Sequence, residues 1–581
     1  MRIAIIHKEK CLPEKCNNLC KNLCPVNRKG EECIKIDNKA SINEETCIGC
    51  SICSNRCPFK AINIINLPEV AEKNLIYRYG KNGFCMYGMP LPHESSVLGL
   101  LGRNGIGKST SLAILSGKLK PNFGKDEEAD NEQIKKHFSG HELFNYFSTI
   151  KDKTVSLKPQ NLLEISKSNL IVKEFFKKFA SLKEIKHNLA LFGIENILDR
   201  KISQLSGGEL QKLAILIASL KKADLYFYDE PLAYLDIAER IKISEFIRKK
   251  SIETEKQVVV VEHDILVLDY ITDFINIFYG KPSCYGAVSE VKATRNAINE
   301  YLEGFLKKEN IRFRDKKIEF KFGARNLIEK NILAEFSAFS KTYEKEGFKL
   351  ESNGGKIYNK GITAIIGKNA TGKTTFIKCL AGIEETDFGK ISLNAGNENL
   401  RVSYKSQYLS GSDELVASII SKEKIKSNLV ERLTLENLFM KKLSELSGGE
   451  LQRVAIASCL AKEADIYLFD EPSAYLDIEE RLNVAKLIKE IMGLKEKTCF
   501  VVDHDLLFLS YLADSIIVFS GESGKNGKAS EVHEFSYGLG ILLKELDITI
   551  RKDKDSGRPR INKKDSVLDR EQKEKGKFVD V

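Results

Sequence analysis

The stretch Leu205-Ser206-Gly207-Gly208-Glu209-Leu210-Gln211 returns 241 residues later as Leu446-Ser447-Gly448-Gly449-Glu450-Leu451-Gln452. Each copy opens a helical pattern, and in the first Leu210, Leu213, Ala214 and Ile217 fall on one face. A Ser-Gly-Gly turn at a helix N-terminus presents bare N–H groups and the positive end of the helix dipole, so it suits an anion. Two such turns in one chain imply a duplicated domain that handles phosphate.

The phosphate cradles lie upstream. Gly102-Arg103-Asn104-Gly105-Ile106-Gly107-Lys108-Ser109 and Gly367-Lys368-Asn369-Ala370-Thr371-Gly372-Lys373-Thr374 are P-loops, each followed by a further threonine, Thr110 and Thr375. Each follows an apolar run, Val97–Leu101 or Ile362–Ile366, and opens a helix, which is the context the motif requires. Backbone N–H groups curl around the phosphates, Lys108 and Lys373 reach the β- and γ-phosphates, and Ser109 and Thr374 offer a hydroxyl to Mg²⁺. Each P-loop already saturates its own nucleotide. The Ser-Gly-Gly turns are therefore expected against the nucleotide of the other copy, Lys108 facing Ser447–Gly449 and Lys373 facing Ser206–Gly208.

Leu225–Tyr228 and Ile466–Phe469 read as buried strands delivering Asp229-Glu230 and Asp470-Glu471. The aspartate of each pair suits Mg²⁺, and the glutamate stands at the strand end where it can polarise an attacking water. The repeat is not uniform. The P-loop lysines are 265 apart, whereas signature leucines, strand aspartates and the histidines His263 and His504 are each 241 apart. Gln160 and Gln407 are 247 apart, so most of the first copy's excess lies between its P-loop and Gln160, near Asp130–Lys158. Ile134, Phe138, Leu143, Phe144 and Phe147 there read as a helix pair broken at Ser139-Gly140, and beside Lys135, Lys136 and His137 they suggest a docking surface rather than an ordinary loop.

Nine of the 14 cysteines lie within the first 57 residues. Cys47-x2-Cys50-x2-Cys53-x3-Cys57-Pro58 has the spacing of a bacterial-type ferredoxin run, and Cys11-x4-Cys16-x3-Cys20-x3-Cys24-Pro25 is a looser second run. By the crossover habit of such runs, Cys11, Cys16, Cys20 and Cys57 share one [4Fe–4S] cluster, and Cys24, Cys47, Cys50 and Cys53 the other. Cys33 is left over and reads as a core residue. Structural zinc more often takes two cysteine pairs across a longer spacer. No flavin or nicotinamide fingerprint accompanies the run, which ranks a structural or sensing role above electron transfer.

Composition narrows the class. With 42% apolar and 30% charged residues over 581 positions, the chain is ordinary for multi-domain soluble folds, and no apolar run approaches the roughly 18 residues of a membrane span. No secretory pattern opens it, so a cytoplasmic protein is expected, and cysteines clustered in such a chain point to metal rather than disulfides. The net charge of +10 is modest; Arg551–Val581 carries 11 basic against 7 acidic residues, read equally as a solvated tail or a nucleic-acid contact.

From about residue 70 onward, the signature, P-loops and Asp-Glu pairs resemble an ATP-binding cassette (ABC) protein with two nucleotide-binding domains. The resemblance implies Gln160 and Gln407 as glutamine-loop residues that also reach magnesium. It makes Tyr234-Leu235-Asp236 and Tyr475-Leu476-Asp477 the D-loops, and His263 and His504, each 34 residues past its aspartate, the switch histidines. Lys158-Pro159-Gln160 follows the pattern, whereas Lys405-Ser406-Gln407 lacks the proline. For the aromatic beneath adenine, Phe84 and Phe348 compete with Tyr79, Tyr87 and Tyr343.

An eight-cysteine domain ahead of two cassettes is similar to the ABC-E type, also called the RNase L inhibitor family of ribosome-recycling ATPases. Ile48-Gly49-Cys50, Tyr279–Gly286, Ile311–Asp315 and Arg558–Lys563 fit the same match. The expected fold is α/β: two ABC-type P-loop domains plus a small α+β ferredoxin-like iron–sulfur domain. The expected division is 1–68 for the iron–sulfur domain and 69–280 for the first cassette, with its insertion near 130–158. Hinge segments at 281–325 and 521–581 then flank the second cassette, 326–520. The resemblance implies an ATPase carrying two ATP, Mg²⁺ and two [4Fe–4S] clusters, a monomer with an internal pseudo-dimer. Its partners would be the ribosome, chiefly the small subunit and its rRNA touched by the insertion, with a release-type termination or rescue factor and, as an open question, initiation factors. The alternatives are another cassette translation or repair factor, an ATP-driven redox enzyme, and a transporter's ATPase subunit. The cysteine block counts against the first and third, and the missing redox fingerprint against the second.

Overall fold

The computed structural model describes residues 2–66, 74–177, 182–320, 332–343, 347–389, 391, 394–395, 398–407 and 411–580. The boundaries expected at 68 and 326 lie outside these residues. Val97–Leu101, Leu225–Asp229 and Gln257–Val261 are buried at every position, as strands covered on both faces must be. They form the parallel centre of a nine-stranded sheet. From one edge the order is Leu75–Arg78, Cys85–Tyr87, Tyr285–Val288, Phe274–Lys281, Val97–Leu101, Gln257–Val261, Leu225–Asp229, Val155–Lys158, and the ninth strand, Lys292–Ala293, pairs with Phe274–Lys281 off this path. A second nine-stranded sheet repeats that order from Phe339–Tyr343 to Val402–Lys405, with Ile362–Gly367 as its P-loop strand.

Each sheet reaches past the expected cassette boundary. Tyr285–Val288 pairs with Phe274–Lys281 and Cys85–Tyr87, and Asn526–Ala529 pairs with Ser515–Ser520 and Lys349–Ser352. The reason is local. A Cβ on Gly286 would stand 1.9 Å from the Ile106 carbonyl oxygen, and one on Gly527 1.9 Å from that of Thr371. These strands press directly on the P-loop backbone and complete its support. The last residues form a three-stranded sheet, Ile550–Lys552, Pro559–Ile561 and Val579–Asp580, with the helix Val567–Glu574.

The insertion carries two helices, Asn131–His137 and Leu143–Thr149, with Gly140 at φ +81° between them. Its aromatics do not form the expected docking surface. Ile134, Phe138 and Tyr146 are buried against the core around Leu112, Ile114 and Leu115, and Phe138 stacks on Phe147 at 4.8 Å. Helical spacing of apolar residues served packing here, and Phe144 is the aromatic left exposed.

The cysteine-rich domain pairs Arg2–Ile6 with Ile62–Asn66 and Ile34–Ile36 with Ala40–Ile42; short helices carry Cys16, Cys20 and Cys53, and loops and helix ends the other cysteines. Ile3 and Ile5 pack with Cys85, Tyr87 and Cys284 of the first cassette. Asn82 is buried in that junction, accepting from the Ile42 N–H at 2.9 Å and donating to the Ala4 and Ile42 carbonyls at 3.0 Å. Arg78 donates to the Glu44 carboxylate from both terminal guanidinium nitrogens, at 3.0 and 2.5 Å. The second cassette is touched by the exposed pair Lys60–Glu436 at 2.8 Å.

Candidate active sites

Lys108 and Lys373 open the helices Lys108–Leu115 and Lys373–Leu380, each after a glycine in the left-handed region, Gly107 at φ +98° and Gly372 at +90°. Both ammonium groups are buried, which pushes their pKa down to about 8. They donate to carbonyls of their own loops, Lys108 to Gly102 at 2.6 Å and Lys373 to Gly367 at 3.0 Å. Ser109, Thr110, Thr374 and Thr375 follow on the same first turns, and the Tyr79 hydroxyl lies 3.2 Å from that of Thr110. Phe84 and Phe348 lie against Gly107 and Gly372. Tyr87 is buried in the junction with the cysteine-rich domain, which removes it as a stacking ring for adenine.

Glu230 and Glu471 are non-glycine residues at φ +46° and +48°, a strained backbone at the end of a buried strand. Lys158 donates to the carbonyls of Asp229 and Glu230 at 2.8 Å each, and Gln211 donates to that of Glu230 at 2.6 Å. Lys405 and Gln452 repeat this on Asp470 and Glu471, at 2.7, 3.2 and 2.6 Å. Four hydrogen-bonding groups that sequence reasoning assigned no task thus fix the carbonyls on either side of the strained turn. Their signal was available: Lys158 and Lys405 recur two residues before each glutamine.

The side chains above that turn converge. Gln160 donates to Glu230 at 2.6 Å and Gln407 to Glu471 at 2.8 Å, so Ser406 in place of proline leaves the contact intact. His263 lies 3.4 Å from Glu230, and His504 3.7 Å from Glu471. Burial opposes ionisation of Glu230, but His263 and Lys108 outweigh it and hold the carboxyl down near 2. Burial and the neighbouring Asp470 instead push Glu471 up. Asp229 is raised to about 6 by burial and Glu230, and Asp470 is raised by burial. Both Asp470 oxygens are buried and accept no hydrogen bond among the described residues, a donor set that fits a hard cation such as Mg²⁺ beside Thr374.

Ser206 and Ser447 cap the helices Gly207–Leu220 and Gly448–Ala461, each in a capping box with Glu209 or Glu450. Gly207 and Gly448 lie under the rings of Tyr234 and Tyr475, where a Cβ would stand 3.3 and 2.9 Å from the nearest ring carbon. Those tyrosines meet edge-on across the cassettes, centroids 6.4 Å apart. Beside them each D-loop aspartate reaches the opposite P-loop: the Asn104 N–H donates to Asp477 at 3.0 Å, and the Asn369 N–H to Asp236 at 2.8 Å. The two cassettes therefore sit head to tail, each P-loop against the other cassette's D-loop.

Near this interface Arg240, on the helix Ile237–Thr254, pairs with Asp264 at 2.6 Å, and Arg481, on the helix Ile478–Lys495, with Asp505 at 2.8 Å; the aspartates directly follow His263 and His504. None of the four was singled out by sequence.

In the cysteine-rich domain Cys24, Cys47, Cys50 and Cys53 line one small cavity together with Cys33. Cys11, Cys16 and Cys57 surround Cys20, whose thiol burial pushes up to about 11. Backbone N–H groups of Ala40 and Ala61 donate to the sulfurs of Cys11 and Cys57 at 3.4 Å each. Eight thiols in two groups, with N–H···S bonds to the sulfurs, fit iron–sulfur ligation.

Comparison with known proteins agrees with this architecture. Residues 92–233 and 350–474 match the ABC transporter family, 1–32 a possible Fer4-like domain in RNase L inhibitor, and 40–63 a 4Fe-4S binding domain. Translation initiation factor RLI1 of Chaetomium thermophilum is 41% identical, covering 99% of this chain and 97% of its own. A solved model of ribosome-bound archaeal Pelota and ABCE1 contains a chain 44% identical, with TM-score 0.93, covering 100% of this chain and 99% of that one. The crystal structure of archaeal ribosomal stalk protein aP1 with the archaeal ribosome recycling factor aABCE1 gives 43% identity and TM-score 0.81, covering 88% and 99%. No helix among the described residues is long and apolar enough to cross a membrane. With a 4Fe-4S binding domain ahead of two cassettes and relatives matched over their whole length, the chain belongs to the ABC-E (RNase L inhibitor) family of ABC ATPases.

Proposed function

We propose that the chain is a cytoplasmic, ATP-driven ribosome recycling factor that splits ribosomes into subunits and remains on the small one. The observation that carries this reading is the reciprocal contact of Asn104 with Asp477 and Asn369 with Asp236. It makes each nucleotide site a joint property of both cassettes, so binding and hydrolysis change how they fit together. Ser447–Gly449 and Ser206–Gly208 bind the γ-phosphate lodged on the opposite P-loop, and closure follows from that contact. Moving a two-state equilibrium from 1:99 to 99:1 takes ~5.5 kcal/mol. A few charge-assisted hydrogen bonds per site, at ~1.5–3 kcal/mol each, supply it.

In each site the glutamate accepts the proton of the attacking water, held in place by the glutamine and the histidine beside it. Asn104, Gly105, Gly107, Asn369, Gly372, Asp236, Asp477, Glu209 and Glu450 shape the pockets. Ser109, Thr374, Gln160, Gln407, Asp229 and Asp470 would hold Mg²⁺, which when bound neutralises charge on the β- and γ-phosphates.

Two [4Fe–4S] clusters, on the two cysteine quartets named above, staple a domain whose core is too small to be rigid alone. That domain holds the first cassette through buried contacts and, among the described residues, pairs with the second through the exposed Lys60–Glu436 bridge, worth at most ~1 kcal/mol. Closure can therefore release it from the second cassette as a rigid body, which wedges the ribosomal subunits apart. The partners are the ribosome, its small-subunit rRNA and a release-type termination or rescue factor.

Ribosome splitting on a sucrose gradient, with anaerobically purified protein, ATP and a rescue factor, tests this. Free subunits should accumulate, with a Glu230→Gln/Glu471→Gln variant retained on the small subunit. Intact ribosomes despite continuing ATP hydrolysis would overturn the partner and leave the ATPase standing.

A further inference from the structure

A cavity of about 570 Å³ lies where the cysteine-rich domain meets both cassettes. The cysteine-rich domain contributes His7, Lys10 and Lys60, the first cassette Lys281, and the second Lys441 and Glu450. Neither a P-loop lysine nor a signature serine lines it, so it is distinct from the nucleotide sites. Its size is that of an ordinary small-ligand site.

Its charge is unbalanced. The four lysines face two carboxylates, Glu9 and Glu450, leaving +2 with the histidine neutral. Burial, Lys10 and Lys281 push the His7 pKa down against the pull of Glu9, so the imidazole adds no further charge near neutral pH. Lys60 is matched by Glu436 at 2.8 Å and Lys441 by Glu450 at 2.9 Å. Among the described residues Lys281 has only the neutral Asn63 amide oxygen, at 2.7 Å. The half-buried Lys10 side chain has no ion pair or hydrogen bond among the described residues. Two ammonium groups with no carboxylate partner among the described residues thus line one recess, and a dianion there meets both.

The cavity also borders both halves of the site around the first P-loop. The Ser283 N–H donates to the Gly105 carbonyl at 2.7 Å, and Glu450 accepts from the Ser447 N–H at 2.9 Å. We propose that this cavity binds inorganic phosphate or a similar small phosphate dianion, held by Lys10 and Lys281, and so fastens the cysteine-rich domain to both cassettes. An anion there competes with Glu450 for Lys441, and thereby couples its own occupancy to the cap of the second signature helix. The proposal does not depend on the ribosomal reading.

The test is calorimetric titration of the full chain with inorganic phosphate, anaerobically and with Mg²⁺-ADP saturating the nucleotide sites. Lys10→Gln/Lys281→Gln is compared with a charge-matched control on the cysteine-rich domain outside the cavity lining, Lys8→Gln/Lys29→Gln. Iron content and ADP affinity report folding. Phosphate affinity should fall about tenfold or more in the first variant and stay unchanged in the control. Equal affinity in wild type and Lys10→Gln/Lys281→Gln, or an equal loss in the control, overturns the proposal. Should the double variant lose its iron, Lys281→Gln alone, at the cavity rim, is read by the same two criteria.

Discussion

Where the first P-loop meets the second cassette, Arg103 reaches Glu479 at 3.4 Å, and Arg314 from the first hinge segment reaches the same carboxylate at 3.1 Å. Where the second P-loop meets the first cassette, the residue matching Glu479 is Ala238, and Lys368 turns instead to Glu545 at 2.6 Å. The helices behind the switch histidines differ in the same way. On Ile265–Ile271, Asp269 is clasped by Arg558 at 2.8 Å and Arg560 at 2.6 Å from the C-terminal segment. On Leu506–Leu512 the matching position is Ser510, and hinge contact comes from Phe320 edge-on to Tyr511, centroids 6.2 Å apart. The same proposed catalytic parts are thus wired to different hinge elements, ionic on one side and aromatic on the other, and the carboxyls of the two glutamates are shifted in opposite directions, Glu230 down and Glu471 up. Chemistry at the two sites can therefore be sensed separately by the rest of the molecule.

The largest expected effect removes the difference altogether. Glu230→Gln/Glu471→Gln should lower steady-state ATP hydrolysis by roughly 10²–10⁴-fold, the usual contribution of a general base, while nucleotide binding persists. Turnover unchanged in both single variants and in the double variant would strip these residues of that role.

Next comes the ionic latch. Asp269→Asn leaves the fully buried Arg558 without its carboxylate, and should cost ~3 kcal/mol of stability in chemical denaturation. Ser510→Ala, at the equivalent point of the other helix, should cost under ~1 kcal/mol. Equal losses would mean the two hinge contacts are equivalent after all.

Smallest is the Glu479 bridge. Glu479→Ala removes the carboxylate shared by Arg103 and Arg314, both partly solvated, and should weaken ATP-dependent closure by ~1 kcal/mol, about fivefold, without altering binding of a single nucleotide. Ala238→Glu should not reproduce the bridge at the other site, where Lys368 already has Glu545.

Much of this was legible in the sequence because the fold is a repeat. A motif found once is weak, but P-loop, signature, Asp-Glu pair and histidine recurring at fixed separation left little choice of architecture. What stayed hidden depends on distance along the chain or on which face of a helix is buried. Asp269 and Arg558 are 289 residues apart, and no local pattern links them. Lys158 and Lys405 recur two residues before each glutamine, but only the folded sheet brings their ammonium groups onto the carbonyls of the strained turn. The insertion misled because Ile134 and Phe138 have the spacing of any amphipathic helix, and spacing alone does not say whether the apolar face meets core or partner. The extra strands Tyr285–Val288 and Asn526–Ala529 were missed because each is four residues long and lies past the last motif of its cassette.

The most direct test of unequal sites is the pH dependence of single-turnover hydrolysis in Glu230→Gln and Glu471→Gln, measured side by side. A general base works only when deprotonated, so its activity is lost as pH falls through its pKa. Glu471→Gln relies on Glu230, whose carboxyl is held near 2, and should keep its rate down to the limit of folding. Glu230→Gln relies on Glu471, raised by burial and Asp470, and should lose activity at distinctly higher pH. Superimposable acid limbs in the two variants would contradict the account.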